Sequence, residues 1–233
     1  MAVIIATYNI HRCYGNDGCF SPERIRRVLR ELDADIIALQ EVETRQDGGL
    51  DLLEFLAEDV YQPIAGPTML KQNAHYGNAL LSRLPVEQIF KHDLSVPGRE
   101  PRGAIDVRIR AKNTTARLVT AHFGLSVRER RIQAQRVLEL IEPQIEPVEI
   151  LLGDLNEWFL RRQLLRWFHR AFVETPSPAT FPARFPLLAL DRLWVRPGSV
   201  LRQLQCYRSP MAQVASDHLP LRAELDLSEI YAE

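Results

Sequence analysis

Short apolar runs recur along this chain, and one after another stops at a carboxylate, a carboxamide or a histidine. The run EILLGDLNEW, residues 149–158, is the clearest case. Ile150, Leu151 and Leu152 read as a buried strand, Gly153 ends it, and Asp154 and Asn156 follow at once. Taken alone, such a segment is a turn, because Asp and Asn side chains bond nearby backbone. Repetition is what makes it informative. Val3–Tyr8 ends at Asn9, Asp35–Leu39 at Gln40 and Glu41, and Leu118–Ala121 at His122; Leu188–Leu190 leads to Asp191, and the last strand is preceded by Asp217 and His218. α/β folds build their sites by collecting side chains at strand ends.

The elements between these ends alternate. Ser21-Pro22 reads as an N-cap followed by proline at the first helical position. Ile25, Val28, Leu29 and Leu32 then follow at helical spacing. Asp35–Gln40 is a second strand, and residues 50–58 suggest another helix. Shorter strands are expected near Asn78–Ser82, Val86–Leu94, Ala104–Arg110 and Ala116–His122. Ile105–Arg110 alternates apolar with charged residues, as a strand with one wet face does. Ser126 and Glu129 form a capping box ahead of a helix carrying Val127, Ala134, Val137, Leu138 and Ile141. After the 149–153 strand, a short helix near 161–169 and strands around 189–195, 200–207 and 219–225 complete the pattern.

Helices distributed among many strands predict a four-layer α/β sandwich: two mostly antiparallel sheets packed face to face with helices outside. No linker separates domains, so residues 1–233 are expected to form a single catalytic domain. Thr175–Pro186 has four prolines in twelve residues, which predicts a rigid surface loop.

Composition narrows the function classes. With 46% hydrophobic and 25% charged residues and a formal net charge of -1, the chain lacks the global basic field of a non-specific nucleic-acid binder. Cys13, Cys19 and Cys206 have no zinc-type spacing, and their odd number argues against a disulfide framework. A reducing compartment follows. VIIATYNI runs straight into polar residues, and no apolar run spans a bilayer. A cytoplasmic location is therefore expected, and nothing in the sequence implies an obligate protein partner.

The side chains gathered at the strand ends suit one task. Carboxylates and an amide oxygen without thiolates match a hard cation such as Mg²⁺ or Mn²⁺. A histidine beside a carboxylate can act as general base near neutrality. Amide and imidazole donors can hold phosphate oxygens and stabilise a pentacoordinate transition state. Metal-assisted hydrolysis of a phosphate ester fits this inventory.

The stretches TYNIH (7–11), LQEV (39–42), GNALLSR (77–83), PRGAI (101–105), TAHFGL (120–125), GDLNEW (153–158), LDRLWV (190–195) and SDHLP (216–220) occur in this order over nearly the whole chain. Together they resemble the endonuclease/exonuclease/phosphatase superfamily, the fold of deoxyribonuclease I, AP endonucleases, bacterial sphingomyelinases and inositol polyphosphate 5-phosphatases. The resemblance implies Glu41 as the principal metal ligand, with Asn9 and Asp217 at the metal end. It implies Asp154 and Asn156 facing the phosphate and attacking water, His218 as the histidine of the Asp-His motif, and Asp191 as the carboxylate that orients it. His122 matches the second histidine of the nuclease and sphingomyelinase branches, a phosphate ligand or leaving-group acid. Arg102 and Asn78 are candidates for substrate binding, and His11 either lines the site or is structural.

Departures from the family narrow the substrate. AP endonucleases usually lack a histidine where His122 stands, and inositol phosphatases carry a different motif where this chain has Ala189-Leu190-Asp191-Arg192. A phosphodiesterase of nuclease type is the leading expectation. Arg99, Arg102, Arg128, Arg130 and Arg131 are its candidate phosphate contacts, those on the capped helix being alternatively its solvated face. A phospholipase C-like enzyme acting on lipid headgroup phosphodiesters is the alternative, and a catalytically idle phosphate-binding module the alternative of another class. The Cys13–Phe20 and Thr175–Pro186 loops could form the substrate rim. There Phe181, Phe185 and Leu187 either meet an acyl chain or a base, or anchor the loop.

Overall fold

The early strands bury both of their faces, and this sets the architecture. The computed structural model describes residues 2–45, 51–71, 74–111, 114–158 and 163–227. Its first half runs β1 (Ala2–Asn9), α1 (Pro22–Leu32), β2 (Ile36–Arg45), α2 (Leu52–Ala57), β3 (Gln62–Lys71), β4 (Ala74–Ser82), β5 (Val86–Asp93) and β6 (Gly103–Ala111). The second half runs β7 (Thr114–His122), α3 (Val127–Ile141), β8 (Val148–Asp154), α4 (Gln163–Ala171), β9 (Asp191–Arg196), β10 (Leu201–Cys206), α5 (Ala212–Ala215) and β11 (Leu221–Asp226).

A six-stranded sheet has the order β10-β11-β1-β2-β4-β3, and a five-stranded sheet the order β5-β6-β7-β8-β9. Within them β1 pairs β2 and β7 pairs β8 in parallel, and the other pairings are antiparallel. Ile36 and Ala38 of β2 face the space between the sheets, where they meet Ile105, Val107, Leu118 and Ile150. Ile37 and Leu39 face outward onto Ile25 and Leu29 of α1 and Leu53 and Leu56 of α2. On the far side Val119, Leu151 and Trp194 pack against Ala134 and Val137 of α3 and Phe168 of α4. Three cores thus bind four layers, helix–sheet–sheet–helix, as the strand and helix pattern predicts. Each large apolar side chain so buried contributes roughly 1.5–3 kcal/mol.

Several details differ from expectation. Instead of ending at Gln40 and Glu41, β2 continues to Arg45 through a bulge between Leu39 and Val42. β3 escapes sequence reading because Pro63, Gly66 and Pro67 interrupt it, yet it lies at a sheet edge, where proline is tolerated. β4 starts four residues before Asn78, at Ala74. The polar face of β6 is wet only toward Arg110: Asp106 is buried and accepts from Arg117 Nε at 3.0 Å and Nη2 at 2.7 Å. Ser126 accepts from Glu129 N at 3.2 Å, whereas Ser21 makes no side-chain cap and donates to Glu23 at 3.2 Å. The helices expected over 50–58 and 161–169 are observed at Leu52–Ala57 and Gln163–Ala171, with residues 50, 161 and 162 outside the described ones.

Candidate active site

Parallel pairing brings strand ends to one edge of the sandwich. His122 at the end of β7 stands in register with Asp154 at the end of β8, and Asp154 with Asp191 at the start of β9. In the other sheet Asn9 is in register with Gln40. Asp191 therefore opens a strand rather than following one. These ends border a cleft of ≈ 440 Å³ whose walls include Asn9, Glu41, His122, Asp154, Asp217 and His218.

Backbone irregularities aim the side chains. Glu41 sits on the β2 bulge with φ of 59°, and Asn156 has φ of 51°. Bulges re-aim strand side chains, and non-glycine residues hold positive φ only where surrounding structure compels it. Gly153 is required by close approach: at its φ of 140° a Cβ would lie 2.0 Å from the carbonyl oxygen of Ala121. That approach lets Asp154 enter the cleft beside His122.

The two histidines share one neighbour and are tuned in opposite directions. His218 Nδ1 donates to Asp191 Oδ2 at 2.8 Å, and Thr180 Oγ1 donates to the same oxygen at 2.5 Å. His218 Nε2 faces Asp154 Oδ2 at 3.8 Å. Burial alone pulls the imidazole pKa down, but Asp191, Asp154 and Asp217 outweigh it and push it up to about 10. His122 Nε2 lies 3.7 Å from that same Asp154 oxygen. Here burial and the adjacent Arg102 guanidinium push the pKa down to about 3. Arg102 Nη1 donates to His122 Nδ1 at 2.9 Å. Arginine has no acceptor, so Nδ1 accepts and the ring proton lies on Nε2.

Asn156 adds a second donor at this point. Its Nδ2 gives one hydrogen to Phe123 O at 2.9 Å and stands 3.2 Å from His122 Nε2. With Nε2 of His122 protonated, both groups are donors, a pair that an anionic oxygen placed between them would satisfy. Asn156 N also donates to Asp154 Oδ1 at 2.9 Å and holds that carboxylate in place.

The resemblance implies a divalent cation. Glu41 and Asp217 present carboxylates to the cleft, and no thiol lines it among the described residues, so the donor chemistry fits a hard cation. Glu41 is positioned by hydrogen bonds from Tyr76 and from Asn9 Nδ2, the latter at 3.1 Å. Asn9 departs from expectation. Its amide nitrogen bridges Glu41 and Asp154, at 3.0 Å from the latter, while its oxygen accepts from His11 N at 3.0 Å. Its nitrogen thus faces the two carboxylates and its oxygen the His11 backbone. Asp154, Asp191 and His218 also lie within 4.8 Å of one another. The Asp191–His218 contact is a hydrogen bond, however, and a cation there would have to displace its proton.

Two other expectations are corrected. Asn78 lies outside the cleft: its Nδ2 donates to Gly103 O at 3.0 Å, tying β4 to β6. Arg130 is fully buried, donating to Leu125 O and packing over Trp158 at 5.0 Å, so it cannot reach a duplex. Arg102 does line the cleft, but as the partner of His122 and of Glu100, 3.1 Å away. His11 lies 3.6 Å from Asp217. Sequence reading missed Arg12, Tyr76, Glu100, Leu125 and Trp158 on the walls. Arg12 has φ of 53° in a run of three positive-φ residues, for which the sequence carries no signal.

The model of the Endonuclease/Exonuclease/phosphatase family matches residues 6–218, and the chain belongs to this family. The Escherichia coli (strain K12) protein YbhP is 33% identical over 251 residues, covering 96% of each chain. Among solved structures, an endonuclease/exonuclease/phosphatase from Beutenbergia cavernae DSM 12333 superposes with a TM-score of 0.79 at 21% identity, covering 97% of this chain and 72% of that one. The human Nocturnin catalytic domain with bound sulfate gives 0.73 at 18% identity, covering 97% and 94%. Members of the family hydrolyse phosphoesters, so the fold and the chemistry of the cleft define a hydrolase of this kind.

Proposed function

We propose that the protein is a divalent-metal-dependent phosphodiesterase. The observation that carries this reading is the pair of buried histidines, one held protonated and one held neutral, at 3.8 and 3.7 Å from the same oxygen of Asp154. In the same cleft, Glu41 and Asp217 would hold the cation, Mg²⁺ or Mn²⁺. When bound, the metal supplies Lewis-acid polarisation of the phosphate and stabilises developing charge.

The chain's own residues divide the remaining work. His218 carries a proton in the free site, so it donates from Nε2 to a phosphate oxygen, and Asp191 orients it and stabilises its charge. Asp154, the carboxylate between the histidines, accepts the hydrogen bond of the attacking water. His122 and Asn156 donate to an oxygen of the transition state as neutral groups. A neutral His122 pushed down to about 3 serves as phosphate ligand and not as leaving-group acid. The cleft walls carry Glu41, Glu100, Asp154 and Asp217 against Arg12 and Arg102. Counted with the divalent cation on Glu41 and Asp217 and the proton on His218, this balance matches a monoanionic diester.

The test is hydrolysis of bis(p-nitrophenyl) phosphate and p-nitrophenyl phosphate with Mg²⁺ or Mn²⁺. The reading predicts faster diester turnover, abolished by chelator. Preference for the monoester, or turnover indifferent to chelator, contradicts it.

A further inference from the structure

The Phe181–Leu188 loop is a closed spur beside the cleft. Leu187 N and Leu188 N both donate to Phe181 O at 2.8 Å, and Ala183 N donates to Asp217 O at 2.7 Å. The Phe181 ring lies 4.9 Å from that of His218, and Ala183 is buried. This framework holds Phe185 and Leu187 out to solvent at 77% and 79% exposure, the most exposed large apolar side chains among the described residues. They do not anchor the loop. Arg184 and Arg208 are exposed beside them, Arg208 Nη2 donating to Arg184 O at 3.3 Å. No carboxylate occurs in residues 175–190 or 206–216; Glu31 of α1 approaches this face at Ser209, whose Oγ donates to it at 2.6 Å.

The spur is continuous with the cleft mouth. Phe181 and Leu188, at its neck, line the cleft together with Leu125, 66% exposed, and Trp158, 37% exposed. Building on the phosphodiesterase reading, we propose that this apolar, basic spur seats the protein on an anionic lipid surface, so that a headgroup phosphodiester enters the cleft. Apolar side chains flanked by arginines are the composition that enters the headgroup boundary and draws on anionic lipid charge. A single-stranded nucleic acid fits less well. Phe185 and Trp158 offer flat faces, but Trp158 already packs under Arg130, Leu125, Leu187 and Leu188 offer none, and Arg102 and Arg130 are held in contacts within the protein.

The experiment is flotation of the full chain with vesicles of phosphatidylcholine alone or mixed with phosphatidylglycerol, in chelator so that turnover plays no part. Binding is expected to the mixed vesicles. The Phe185→Ser/Leu187→Ser variant should lose it at least tenfold, with unchanged melting temperature and unchanged turnover of bis(p-nitrophenyl) phosphate. The Arg184→Gln/Arg208→Gln variant should lower binding to the anionic vesicles toward that seen with phosphatidylcholine alone. No vesicle binding by the natural chain, or equal binding by the serine variant, overturns the proposal. So does tighter binding of an oligonucleotide that the serine substitutions abolish, or a dimer that they convert to monomer. Failure of diester turnover with vesicle binding intact would instead strike the phosphodiesterase reading.

Discussion

Asp154 is the residue on which the site turns. It receives hydrogen bonds from Asn9 Nδ2 and Asn156 N and lies between both histidines. The sequence announced it, because a carboxylate directly after a buried apolar strand is conspicuous once other strands end alike. Glu41 was legible for the same reason, although its bulge and positive φ were not. Glu41→Gln keeps size but removes charge, so Mg²⁺ affinity measured by calorimetry should weaken and turnover should fall by orders of magnitude. An unchanged titration would remove Glu41 from the metal site. Arg102 was legible only as a cation near phosphate, since its contact with His122 joins β7 to the loop ahead of β6. Arg102→Met should release Nδ1 of His122 and raise the imidazole pKa toward the ordinary histidine value. Histidine ¹⁵N shifts should report the change, and turnover should drop roughly 10- to 100-fold, the worth of a partner that orients a site group from behind. Unaltered ring shifts would mean that Arg102 does not set the tautomer.

At the scale of elements, sequence periodicity predicted the strands that bury both faces and failed where geometry departs from period two. β3 was hidden by its prolines, and the bulge in β2 was hidden because bulges follow pairing, which no single strand reveals. Asp106, expected on a wet face, is buried with Arg117 because alternation reports polarity, not what covers it. Gly153 makes the sharpest test at this scale. Gly153→Ala places a Cβ 2.0 Å from Ala121 O at a φ of 140°, so β7 and β8 must part or the backbone must reset. Unfolding in urea should show a loss of more than about 3 kcal/mol, above the usual cost of one strained residue. A variant with native stability and activity would show that β8 can end without this approach.

For the whole molecule, the opposed histidines predict how stability depends on pH in metal-free protein. His122 is pushed down to about 3, so between there and its ordinary value near 6.5 the unfolded chain binds the extra proton and stability falls as pH falls. His218 is pushed up to about 10. Its contribution is fully present below about 6.5 and is lost as pH rises toward 10. Each limb has a slope of at most about 1.4 kcal/mol per pH unit for one proton. Difference curves should show that His122→Asn flattens the acid limb and His218→Asn the alkaline limb. Parallel curves for variant and natural chain would refute the assigned tuning.

The central claim is that Asp191 and His218 work as one device in phosphodiester hydrolysis, and a double-mutant cycle on diester turnover measures it most directly. With saturating metal and folding confirmed, His218→Ala should nearly abolish turnover and Asp191→Asn should cost somewhat less. Groups acting as a unit give non-additive losses, so the double variant should lose little beyond His218→Ala alone. If the two losses multiply instead, the 2.8 Å contact between these residues is structural and the catalytic role drawn for it is wrong.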